Sequence, residues 1–330
     1  MSKKRLSLIL RIVIGVALIG AMVQWIGLDA LSGTWQSFSP IFYALAVALL
    51  FGHFAVQSLV LRVLLTAKDV TVRARHIFRL MVICQFFGFF LPGGVGPDLV
   101  LCYNMVRSTA KKELALSAII FIRITVLFVM ALFAFLASFH PIAAQPQYQV
   151  FTAGILLAFC GYFFLMANRH SLALARKVLE ILNRHKVTAI LYKTYFALAA
   201  HGQDRTTVAR IAPFLLLSAM IKIMTDYVVA LSLGFDIPFI YFLVVVPLVT
   251  VISALPLTFA GLGIREGAFI GLFTLVGVPA EEALAISLVS FSLMFVTAGI
   301  GAILYALYGT QIITETKSPY VETPADPKSS

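Results

Sequence analysis

The sequence predicts an all-α integral membrane protein with six spanning helices and two oppositely directed re-entrant helical hairpins, related as an inverted repeat. Three observations carry that prediction. Hydrophobic residues form 61% of the chain and charged residues only 12%, a balance foreign to soluble domains. Two apolar runs are broken by glycine and proline, FFGFFLPGGVGPDLVL in the first half and VISALPLTFAGLGIREGAFI in the second. Among the connections between apolar runs, finally, some are rich in lysine and arginine and the others contain none.

Taken in order, the start MSKKRLSLILRIVIGVALIGAMVQW has a basic head but no small-residue cleavage site, so it reads as a retained first span over 6–26. Runs near 41–65, 114–139, 150–166, 211–233 and 281–308 approach the length of about 20 residues that a bilayer core demands. The broken runs, about 77–106 and 239–276, are the hairpins. Irregular backbone is tolerated at membrane depth only inside protein or against a polar cavity. Paired breaks in matching halves therefore point to a midplane site. The stretch 167–210 sets Leu172, Leu174, Ala175, Val178, Leu179 and Leu182 among Arg176, Lys177, Arg184 and Lys186, which suits an amphipathic cytoplasmic segment. Residues 1–310 make one polytopic membrane domain, and the polar, proline-bearing 311–330 is expected to be a disordered cytoplasmic tail.

The basic residues set the orientation. Lys3, Lys4, Arg5, Lys68, Arg73, Arg75, Arg107, Lys111, Lys112 and the set from Arg169 to Arg210 flank one side, while 27–40, 140–149, 234–238 and 277–282 contain no Lys or Arg. Both termini are then cytoplasmic. Basic flanks bring 77–106 in from the cytoplasm and back, and Lys/Arg-free flanks bring 239–276 in from outside and back. Two short tilted helices crossing at each break would sort the charges in the same way. The formal charge of +11 is explained by this orientation, so nucleic acid is not expected as a partner.

Several charges lie too deep to snorkel. Arg123 sits about ten residues into its span, roughly 15 Å, and Lys222 is similarly deep. Such a charge costs at least about 2.5–3.5 kcal/mol unless paired or wetted. Lys222 and Asp226 are spaced i,i+4 and are able to pair. Arg123 has no acid at helical spacing, and the adjacent Arg265 and Glu266 point in different directions. Asp98 and Glu266 fall in the first turns of the hairpins' second limbs, where exposed N–H groups favour an anion. Arg123, Arg265, Glu266, Asp98, Lys222 and Asp226 are thus the substrate-binding candidates, suited to a phosphate headgroup. Pro92, Gly93, Gly94, Gly96, Gly261 and Gly263 are the hairpin backbone. Asp98 and Glu266 suit three roles equally: capping helix dipoles, holding arginines in an empty site, or exchanging protons.

No enzyme signature competes. The six histidines, His53, His76, His140, His170, His185 and His201, are scattered and mostly at loops or ends, and no serine elbow or phosphate loop occurs. Cys84, Cys102 and Cys160 read as small buried hydrophobes. No catalytic residue, metal or cofactor is expected.

The pieces FFGFFLPGGVGPDLVLCYNMVR and LPLTFAGLGIREGAFIGLF, followed by GVPAEEALAISL, resemble the flippase-like family named after the transmembrane region of lysylphosphatidylglycerol synthase. The resemblance places that family's Pro-Gly-Gly and acid on Pro92, Gly93, Gly94 and Asp98, and its Gly-x-Gly-x-Arg-Glu on Gly261, Gly263, Arg265 and Glu266. It implies a prokaryotic inner-membrane protein that moves anionic or modified phospholipid, or a lipid-linked glycan, between leaflets. Membrane lipids are the implied partners, with a homodimer and a partner synthase or glycosyltransferase as the protein associations to test. Leu101 stands where family members often carry an arginine, and the family's aminoacyl-transferase domain has no counterpart here. The alternatives are a membrane scaffold, or an enzyme of lipid or glycan modification, without transport.

This topology is testable by labelling. In a chain freed of its own cysteines, new ones at Gln147 and Glu281 should react from the outside and one at Lys112 only from the cytoplasm. Labelling of the 107–112 and 277–282 loops from one side would contradict the inverted repeat.

Overall fold

A computed structural model describes residues 37–70, 72–89, 96–108, 112–168, 186–254 and 263–314, and these form ten α-helices. They are α1 (Pro40–Thr66), α2 (Ala74–Phe89), α3 (Gly96–Ser108), α4 (Lys112–Ala137), α5 (Pro146–Ala167), α6 (Lys186–Gln203), α7 (Arg205–Ser232), α8 (Phe239–Ser253), α9 (Ile264–Thr274) and α10 (Ala280–Thr314). Five of them, α1, α4, α5, α7 and α10, are long and apolar enough to cross a membrane. The expected first span over 6–26 lies outside the described residues, as do Pro92, Gly93, Gly94 and Gly261 at the breaks.

The broken runs resolve into pairs of short helices, α2 with α3 and α8 with α9. With 16, 13, 15 and 11 residues, each limb is roughly 16–24 Å long at 1.5 Å per residue. None alone matches a hydrocarbon core of about 30 Å. The limbs of the first pair meet where Gly88 abuts Pro97, leaving no space for a Cβ. In the second, Phe242 and Phe273 pack edge to face at 5.1 Å between ring centroids. Gly263 precedes α9 with φ of 83°, a left-handed conformation that a glycine adopts without Cβ strain.

The halves interlock. The first limb of each short-helix pair packs against a long helix distant in sequence, α2 against α10 and α8 against α4. Gly301 of α10 admits the Val82 carbonyl of α2, and Arg79 of α2 lies 4.8 Å from the Tyr308 ring centroid. Small residues let transmembrane helices approach this closely. Among the described helices, α1 and α7 pack along one another most extensively. The Ser39 N–H donates to the Ser232 carbonyl at 2.6 Å, so the start of α1 meets the end of α7 and the two run antiparallel.

Two boundaries differ from expectation. The connection assigned to 167–210 ends early, because α7 begins at Arg205. Asp204 caps it, accepting from the Thr207 N–H at 3.1 Å and from the Thr206 and Thr207 hydroxyls at 2.7 Å each. Those bonds favour the charged carboxylate and hold its pKa below the usual range. Of the amphipathic segment itself, α6 is described, while Leu172 to Arg184 lie outside the described residues. At the chain's end α10 continues to Thr314, so 311–314 are helical, and the rest of the expected tail is not described.

Of the histidines, His53 departs from the loops-and-ends reading, whereas His201 keeps to it in the last turn of α6. His53 sits midway along α1. His201 is buried where α6 docks on α4, with Nε2 3.2 Å from the Ser117 hydroxyl, and burial lowers its pKa to about 4.

Packing at the two glycines gives a direct test. Gly88→Val and Gly301→Val should each destabilise the protein by about 1–3 kcal/mol through overpacking. Gly52→Val, where a Cβ meets nothing within 4 Å, should leave stability close to wild type. Thermal midpoints of the detergent-purified variants report this, and equal midpoints for Gly88→Val and Gly52→Val would refute the close approach of α2 and α3.

Candidate functional site

Two cavities, each of about 240 Å³, lie against one another at the centre of the helices and share Leu50, Arg123, Lys222 and Met294 as lining residues. The first is bounded by the α2–α3 pair through Gln85, Gly88, Pro97 and Asp98. The second is bounded by the α8–α9 pair through Thr250, Ser253, Arg265 and Phe269. Arg123 of α4 and Lys222 of α7 therefore face both short-helix pairs.

The first cavity holds an ion pair built by the turn into α3. Pro97 occupies the second position of that helix, where its missing N–H costs nothing, and Asp98 follows in the first turn. Its Oδ2 lies 3.5 Å from Arg123 Nε. That is within Coulombic reach but too poorly placed for a hydrogen bond, and Nε has no hydrogen-bond partner. Both side chains remain about a third exposed, at 36% and 37%. On the facing wall a polar chain runs along the α1–α7 seam. His53 Nδ1 sits 3.0 Å from the Ser218 carbonyl oxygen and 3.1 Å from its hydroxyl, and Gln57 Nε2 sits 3.2 Å from His53 Nε2.

In the second cavity Lys222 Nζ donates to Asp226 Oδ2 at 2.5 Å across one helical turn. Asp226 is 2% exposed, and its other oxygen, Oδ1, has no partner. The Ser253 and Ser290 hydroxyls are likewise buried and unpartnered. With Arg123 Nε, four of the six buried side-chain polar atoms left unsatisfied among the described residues line this one cavity. An unmet buried donor or acceptor costs about 1–3 kcal/mol, so the concentration marks a place suited to polar guests.

Arg265, in the first turn of α9, enters the same cavity between aromatic faces. Its guanidinium carbon lies 5.6 Å from the Phe269 ring centroid and 6.0 Å from that of Phe291. Nη2 donates to the Ser287 carbonyl at 2.9 Å, and no carboxylate pairs with it among the described residues. Glu266 turns elsewhere. It is fully buried, its Oε2 accepts the Gly263 N–H at 2.5 Å, and its Oε1 lies 3.4 Å from the Ser287 hydroxyl. A carboxylate so placed satisfies the positive end of its own helix, which is the capping role among the three open to it. It lines neither cavity.

The structure thus brings Arg123, Arg265, Lys222, Asp226 and Asp98 to one connected region and sets Glu266 beside it. Gly96 begins α3, and Gly263 lies outside α9 as its N-cap. Ser253, Ser290, His53 and Gln57 were not singled out from sequence. A lone hydroxyl in an apolar run carries no signal, because such groups usually bond to their own helix, as Thr250 does to Val246 at 2.7 Å. His53 and Gln57 do leave a trace in sequence, as polar residues four apart on one face of a spanning run.

Spanning helices around a buried, charge-lined polar compartment define a multi-pass membrane protein. A family model described as the lysylphosphatidylglycerol synthase TM region matches residues 8–301, and the chain belongs to that family. No curated protein and no solved structure matches it.

Proposed function

We propose that this protein carries an anionic or modified phospholipid between leaflets, by passing its headgroup through the paired cavities. The observation that carries this reading is the shared wall. Arg123 and Lys222 border both compartments, so a phosphate held by them is in contact with either short-helix pair. Three cations, Arg123, Lys222 and Arg265, face two carboxylates, Asp98 and Asp226, which leaves one positive charge. A phosphodiester carries one negative charge and would neutralise the site. Its oxygens accept from the guanidiniums, and hydroxyls on the headgroup are matched by the free Asp226 Oδ1 and by Ser253 and Ser290.

The remaining parts of the proposal rest on architecture. The four limbs are too short to span alone, their partnering is reciprocal across the halves, and the starts of α3 and α9 both lie at the cavities. Re-entrant hairpins of opposite direction, meeting near the midplane, account for all three features. A lipid-linked glycan presents the same phosphate chemistry at its anchor and falls within the same reading. The family's lipid-synthase name is consistent with a lipid substrate.

Headgroup entry would break existing contacts and make stronger ones. A guanidinium grips two phosphate oxygens in a planar fork, whereas Arg265 now makes one hydrogen bond to a carbonyl. Arg123 would exchange a long contact with Asp98 for charge-assisted hydrogen bonds.

Arg265→Gln and Arg123→Gln should therefore abolish lipid translocation while the protein still inserts and folds. Arg265→Lys should restore it only in part, because an ammonium lacks the fork. Leaflet-resolved accessibility of a labelled phospholipid in reconstituted vesicles measures this. Unchanged translocation in both glutamine variants would reduce these charges to structural pairs and favour the scaffold.

A further inference from the structure

We propose a second lipid site, separate from the cavities: a seat for one anionic phospholipid on the outer face of the α1–α7 pair, at the membrane face where α1 ends and α7 begins. There a groove of about 570 Å³ opens between Leu59, Arg62, Val63, Thr66 and Ala67 of α1 and its end, and Thr207, Arg210 and Phe214 of α7. Arg62 and Arg210 reach it from the two antiparallel helices, and both are exposed. Neither forms an ion pair among the described residues. The nearest carboxylate on α7's own end, Asp204, is already engaged by Thr206 and Thr207.

The groove is amphipathic along the membrane normal in the sense a phospholipid requires. Helix α1 runs toward this face, so Leu59 lies about one turn deeper than Arg62. Helix α7 runs away from it, so Phe214 lies about one turn deeper than Arg210. Two guanidiniums therefore stand at headgroup level above an apolar wall. Paired cations there select the phosphate of an anionic lipid over a zwitterion, and the wall accommodates acyl chain, which inorganic phosphate lacks. A basic recess between spanning helices at a positively flanked face is the kind of site that retains such lipids.

The seat does not open into the cavities. Gln57, which lines the first cavity, and Thr66, which lines the groove, are nine residues apart. That is about two and a half turns, placing them on opposite faces of α1. This inference accordingly does not rest on the transport reading.

Native mass spectrometry of the full chain tests it, using protein released from micelles doped equally with phosphatidylglycerol and phosphatidylcholine. A phosphatidylglycerol adduct should persist in the wild type and in Arg265→Gln. Made in the Arg265→Gln background, so that a cavity-bound lipid is not counted, Arg62→Gln/Arg210→Gln should weaken it about thirtyfold, from roughly fivefold per cation removed at a membrane surface. Arg62→Lys/Arg210→Lys, which keeps both charges, should retain it and shows that the pair tolerates substitution. An undiminished adduct in the glutamine pair, equal retention of phosphatidylcholine, or displacement by inorganic phosphate would each overturn the proposal. Loss of every phosphatidylglycerol adduct in Arg265→Gln alone would overturn it as well, by assigning all bound lipid to the cavities.

Discussion

A guanidinium at mid-membrane has to be paired or wetted, and Arg123 is the point at which the fold answers that demand. It lies eleven residues beyond Lys112 at the start of α4, roughly 16 Å along the helix axis, with no acid within one turn on its own helix. Its nearest carboxylate, Asp98, comes from the start of α3. The start of α3 thus lies beside Arg123, and the space around that incomplete pairing is the first cavity. A better-formed salt bridge would offset more of the desolvation cost, but it would also leave less reason for a ligand to enter.

The second half meets the same demand differently. Lys222 is neutralised locally by Asp226, while Arg265 has only a carbonyl and two aromatic faces. Glu266, its neighbour in sequence, is committed to the N-terminus of α9. That commitment has a consequence for binding. The positive end of α9 is already satisfied, so under the proposed function an anion entering the second cavity would meet the Arg265 side chain rather than the helix terminus. The crossed packing of α2 on α10 and α8 on α4 ties both arrangements into one body.

Much of this was legible in the sequence, for physical reasons that also explain what was not. Long apolar runs specify helices in a bilayer, because backbone groups have no other partner there. Accordingly Pro40–Thr66 and Lys112–Ala137 lie where hydropathy puts them, as does the start of Ala280–Thr314. The breaks at Gly96 and Gly263 and the deep charges were visible for the converse reason, that each violates the local rule. The start of α7 was misplaced because hydropathy does not see a cap, whereas Asp204 with Thr206 and Thr207 starts a helix among polar residues. Pairing across helices was beyond reach. Nothing local distinguishes Asp98 as the partner of Arg123, or Ser253 and Ser290 as hydroxyls left without bonds, since each depends on which helices become neighbours. Glu266 shows the limit most plainly: adjacent to Arg265 in sequence and an apparent part of the same site, it is turned into its own helix end.

The most direct measurement is an experimental structure of the protein in a nanodisc of anionic phospholipid, at a resolution that shows headgroups. Phosphate density should appear against Arg265 and Arg123, with the Arg123 Nε–Asp98 Oδ2 separation lengthened from 3.5 Å and Arg265 drawn away from the Ser287 carbonyl. Cavities holding only ordered water, with Arg265 still on that carbonyl and Arg123 still facing Asp98, would contradict the central claim that this compartment receives a lipid phosphate.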